Sequence, residues 1–114
     1  MTKNVAMVEA TNFDELTLKL RQLGFQLECP ATGFAHGFAS EGDGPIYLAT
    51  QDVASFLVEG SGVLFWRGPS DSVYVSVFAG NPRIHFDGFT PAKEKAMCES
   101  LRQVGVKFSV AFDG

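Results

Sequence analysis

The chain has 114 residues, 46% of them apolar, and a formal net charge of −4. That length suits one domain, which hides roughly 65% of the surface its unfolded chain exposes and needs neither disulfide nor metal to do so. The negative balance speaks against a direct grip on a nucleic-acid backbone or an anionic membrane surface, and no apolar run approaches the ~20 residues of a membrane helix.

Taken from the start, Asn4 to Glu9 alternates as a strand, with Val5, Met7 and Glu9 opposite Ala6 and Val8. The opening residues lack a signal peptide's long apolar stretch, so the expected location is cytoplasmic. Thr11 or Asn12 can cap the helix that follows, with Asp14 and Glu15 three residues on from each. Phe13, Leu16, Leu20 and Leu23 recur at helical steps. Gly24 then sits at the helix C′ position, which requires a positive φ; alanine there should cost about 1 kcal/mol. Residues 25–29 (FQLEC) read as a strand stopped by Pro30.

From Gly33 to Ser40 an extended run sends Phe34, His36 and Phe38 one way and Ala35, Gly37 and Ala39 the other. Residues 41–44, Glu-Gly-Asp-Gly, suit a hairpin loop, and Pro45 opens the returning strand 46–50. The next segment has caps for a short helix at Thr50 and Asp52, but Val53 to Glu59 is read as a strand. Turns at 60–62, 68–71 and 80–82 then separate strands 63–67, 72–79 and 83–89. In the second of these, Val73, Val75 and Val77 oppose Tyr74, Ser76 and Phe78.

The chain closes as it began. Thr90 is a cap, Pro91 fits the first helical position, and Met97, Leu101 and Val104 form an apolar stripe before Gly105 and a last strand, 106–112. LRQLG at 20–24 and LRQVG at 101–105 share a wording, which the common demands of a helix–Gly–strand junction explain without an internal duplication. The whole predicts one α+β domain over residues 1–114: a mainly antiparallel sheet with two helices packed on one face, in the order β-α-β, strand meander, α-β.

Signatures of catalysis are sparse. The glycines of 33–44 are followed by acids, where a phosphate cradle needs Lys and Ser/Thr. Cys29, His36, His85 and Cys98 lack the close pairs of a zinc site, so no metal or cofactor is expected. Two cysteines make no disulfide framework and read as reduced, buried thiols; Cys98, inside a helix beside Met97, is badly placed for an activated thiolate. His36, between two Phe, reads as packed in the core or a groove, and His85, on the Arg83/Asp87 side of its strand, as a partly exposed surface residue.

The outstanding feature is the charge layout. No Lys or Arg occurs between Arg21 and Arg67, whereas Glu28, Glu41, Asp43, Asp52 and Glu59 do, among many aromatic residues. Acids steer association and aromatics anchor it. The expectation is therefore a small, acidic, non-catalytic protein that binds, and inhibits, a basic protein partner, of the kind that blocks a nuclease or another nucleic-acid enzyme. Glu41, Asp43, Asp52, Glu59, Phe34, Phe38 and Trp66 would make the contact. The alternative is a small-ligand domain or small enzyme with an aromatic groove at His36, or at His85 with Asp87. Either is compatible with a homodimer, and neither needs direct contact with nucleic acid or membrane.

Overall fold

The computed structural model describes residues 3–9, 12–40 and 42–112. Thr11 and Glu41, weighed above as a cap and as a contact residue, lie outside them.

Both long helices form where local chemistry sets their ends. Strand β1 (Asn4–Val8) leads to helix α1 (Phe13–Gln22), whose N-cap is Asn12; its side chain accepts from the Glu15 N–H at 2.8 Å. Helix α3 (Pro91–Gln103) is capped by Thr90, which accepts from the Lys93 N–H at 3.1 Å. The two helices stop in the same way. Gly24 N–H donates to Arg21 and Phe25 N–H to Leu20, and Gly105 and Val106 repeat this onto Arg102 and Leu101. These are paired Schellman closures, and Gly24 and Gly105 take φ of +90° and +85° to make them. Of the shared wording LRQ-x-G, such a closure accounts for the glycine and for the buried leucines, Leu20 and Leu101, that begin it.

Strands β2 (Ala35–Phe38), β3 (Ile46–Leu48), β4 (Gly62–Trp66), β5 (Ser72–Phe78), β6 (Asn81–His85) and β7 (Phe108–Phe112) join β1 in one seven-stranded sheet. Its order is β3-β2-β4-β5-β6-β1-β7, and every ladder is antiparallel. The α+β architecture expected from the sequence is the one observed.

Register shows which face is covered. Gly37, Val63, Val75, Ile84, Ala6 and Val110 stand opposite one another in succession across the sheet. This row and its i±2 neighbours supply the sheet's part of the buried core: Ala6, Val8, Ala35, Val63, Phe65, Val73, Val75 and Ile84. Leu16 and Leu20 of α1 and Met97, Cys98 and Leu101 of α3 pack on them. The Phe13 and Phe65 rings meet at 5.8 Å, and Asn4 Nδ2 donates to the Glu94 carboxylate at 3.1 Å. All the helices among the described residues therefore lie on one side.

Three expectations need correction. Residues 53–59 are not a strand: a 3₁₀ turn (Thr50–Asp52) runs into a one-turn helix, α2 (Val53–Phe56). Val53, Phe56 and Leu57 are spaced to pack together while Ala54 and Ser55 face solvent, a helical pattern that overrode the β-branched composition. Residues 25–29 are extended and alternate in burial, yet they join the sheet only through single bridges, Gln26 to Trp66 and Glu28 to Ala35. The last hairpin turns at Ala79-Gly80, both with positive φ, one residue earlier than read. Pro82 is thereby inside β6, beyond its last β1 partner at Arg83, where the N–H it lacks is not required by β1.

Candidate binding surface on the helix-free sheet face

An antiparallel sheet with helices on one side normally turns polar residues to the other. Here the uncovered side is aromatic. Alternation places His36 and Phe38 of β2, Tyr47 of β3, Leu64 and Trp66 of β4, and Tyr74 and Ser76 of β5 on it, with His85 of β6 opposite Tyr74. The rings form two runs. His36 lies 4.7 Å from Tyr47 and 5.3 Å from Trp66, and Tyr74 lies 5.6 Å from Phe38 and 5.0 Å from His85, centroid to centroid. Tyr47 is 58% and Phe78 56% exposed, whereas His36, Phe38, Trp66 and Tyr74 are half-buried.

Gly62 is what allows the second run. A Cβ at that position would overlap the Tyr74 ring and hydroxyl, so only glycine lets the tyrosine lie across β4. The face is not uniform in charge. At the β5–β6 end the Arg83 guanidinium lies 4.6 Å above the Phe78 ring. At the other end a cavity of about 400 Å³ opens, with Phe38, Leu64, Tyr74 and Phe89 as apolar walls. Its polar lining includes Asp43, from the β2–β3 loop, and Asp87, from the link between β6 and α3. Asp43 is oriented by the Ser40 hydroxyl, which donates to it at 2.8 Å.

His85 also reaches this cavity, but it is only 5% exposed. The reading of it as a partly exposed surface residue is thus corrected. Its neighbours Tyr74 and Ser76, on its own side of the sheet, cover the ring, and its Nε2 and the Ser76 hydroxyl share a 2.7 Å hydrogen bond. His36 is packed as expected, half-buried, with its Nε2 at 2.9 Å from the Thr32 hydroxyl, but it does not line the cavity.

The structure brings some of the expected contact residues together and separates others. Phe38, Trp66, His36, His85, Asp43 and Asp87 belong to this face or its rim. Phe34 is exposed just ahead of β2. Asp52 stands on the turn into α2, which packs on the helix side. Glu59 is occupied at the β5–β6 turn, accepting from Ala79 N–H at 2.7 Å and Gly80 N–H at 3.3 Å. Tyr74, Leu64 and Phe89 were missed as candidates, although the alternation of Tyr74 with the valines of its strand was the signal for the first.

Both cysteines are buried and free. Burial, reinforced by the charge of Glu94 and only partly offset by Arg102, pushes the Cys98 thiol up, the reverse of nucleophile activation. Among the described residues no group of three or more His, Cys, Asp or Glu is placed to hold a metal ion, and no helix is long and apolar enough to cross a membrane. No family model, no curated protein and no solved structure matches this chain.

Proposed function

We propose that the protein is a non-catalytic binding protein whose helix-free face takes up, and blocks, a basic protein surface. One observation carries this reading: aromatic walls and two carboxylates, Asp43 and Asp87, line a single open cavity on an otherwise ring-covered face. A guanidinium or ammonium is attracted both to an aromatic face and to a carboxylate. An arginine of the partner entering the cavity beside Phe38 and Tyr74 would meet both. The surrounding rings would supply contact area, and the carboxylates would steer the approach. Of the acids expected at the contact, Asp43 lines this cavity and is joined there by Asp87, which was expected for the alternative ligand site; Asp52 and Glu59 stand outside it.

The test is recovery of the partner from the native host's lysate, followed by titration against Asp43→Asn and Asp87→Asn. The expected result is a roughly tenfold or greater loss of affinity for each variant, about 1.4 kcal/mol, with a shallower dependence on salt. Unchanged affinity and salt dependence would discard the proposal.

A second reading is favoured by the size of the cavity, which falls within the 300–1,000 Å³ typical of small-ligand sites, and by the buried His85 on it. In that case a small cationic or aromatic molecule would raise the melting temperature of the protein, and Tyr74→Ala would abolish the rise.

A further inference from the structure

We infer that the protein forms a two-fold dimer by pairing β7 with β7 of a second copy. Edge strands invite pairing with other chains, and native proteins blunt them by shortness, proline, charge or a bulge. The two edges of this sheet are treated differently. β3 has three residues and Pro45 just before it. β7 has five, Phe-Ser-Val-Ala-Phe, with no charge and no proline. Its register with β1 runs without a bulge, from Asn4 opposite Phe112 to Val8 opposite Phe108.

The free edge has a defined pattern. Glu9 N–H donates to Lys107 C=O at 2.8 Å, so the odd-numbered residues here direct their backbone groups at β1. Alternation turns the N–H and C=O of Phe108, Val110 and Phe112 outward. The same three residues put their side chains on the helix side, since Val110 stands opposite Ala6. There Val110 remains 42% and Phe112 75% exposed, an apolar row at the margin of the core.

The occupant that fits this edge is the edge itself. The strand reads nearly the same in both directions: large, small, Val, small, large. A two-fold axis at Val110 sets Phe108 against Phe112 of the copy, Phe112 against Phe108, and Val110 against itself. Three hydrogen-bonded pairs, about six backbone hydrogen bonds, then close the edge, and the exposed Phe112 gains the half-buried Phe108 ring of the copy opposite it. The row carries no charge, so like charges are not brought face to face.

The experiment is light scattering of the full chain on a sizing column over a concentration series. The expected mass is twice the 12.3 kDa of the chain. Val110→Lys places two ammonium groups at the axis and should give the monomer at concentrations where the parent is a dimer. Phe112→Ser, at a position three-quarters exposed, should raise the dimer dissociation constant at least tenfold; it decides the matter if Val110→Lys does not fold by circular dichroism. Ile46→Lys, on the opposite edge, should leave the dimer intact. A parent chain that is monomeric throughout, a folded Val110→Lys variant that still dimerises, or a Phe112→Ser variant with undiminished dimerisation would overturn the inference. So would an Ile46→Lys variant that dissociates.

Discussion

The backbone of Ala79 is at φ +52°, the only non-glycine residue with positive φ among those described. A Cβ in this region costs roughly 1–2 kcal/mol. The strain persists because the Glu59 carboxylate holds both N–H groups of the turn, Ala79 and Gly80. Two opposite effects should follow. Ala79→Gly relieves the Cβ contact and should stabilise by about 0.5–1 kcal/mol, net of the greater freedom of glycine when unfolded. Glu59→Gln weakens charge-assisted bonds on an exposed turn and should destabilise by about 1 kcal/mol. Thermal unfolding would show these as melting temperatures a few degrees above and below the parent, since 1 kcal/mol corresponds to roughly 4–8 °C for a domain near this size. A fall with Ala79→Gly would mean that the alanine side chain contributes something else there. The role of Glu59 was not legible in the sequence, because its two partners lie twenty and twenty-one residues away and bind through their backbone.

Helices and their ends were legible because they depend on near neighbours: caps at Asn12 and Thr90, closures at Gly24 and Gly105. Segment 53–57 was not, since five residues with one valine and three aromatic or aliphatic neighbours suit either period until packing decides. How elements dock on one another was equally hidden, and Asp71 illustrates this. It closes the β4–β5 turn through Arg67, whose Nη2 lies at 2.9 Å, and it reaches α3 through Lys93 Nζ at 2.8 Å. Partial burial alone would raise this carboxyl, but the hydrogen bonds and charges of Lys93 and Arg67 outweigh that and hold it below the ordinary aspartate range. A depressed carboxyl stabilises the fold above its unfolded pKa, about 3.9, and loses that contribution as pH falls through the lower folded value. Asp71→Asn should therefore cost about 1 kcal/mol at pH 7, a figure kept small by the exposure of both cations. The gap between variant and parent should close below pH 4. Equal urea midpoints at pH 7 would show that the cluster is energetically idle.

At the scale of the molecule, the β4-β5-β6 hairpins followed from turn spacing, but the placing of β4 beside β2 and not β3 and the side taken by the helices did not. Both sides of β5 are rich in apolar residues: valines on one, Tyr74 and Phe78 on the other. Alternation therefore gave the period of the strand without telling which face would be covered. The difference between the faces should appear in their energetics. Phe65, with no exposed surface and its ring against Phe13, is enclosed by α1 and the sheet. Phe65→Ala should destabilise by about 3–5 kcal/mol. Tyr47, on the uncovered side and more than half exposed, has little burial to lose, and Tyr47→Ser should stay within about 0.5 kcal/mol. Urea unfolding of the two variants beside the parent measures both, provided the protein concentration is fixed so that self-association contributes equally. If Tyr47→Ser cost as much as a core truncation, the rings of the open face would be needed for the fold itself. A small cost would leave an aromatic surface that folding does not require, which is the property expected of a surface kept for a partner.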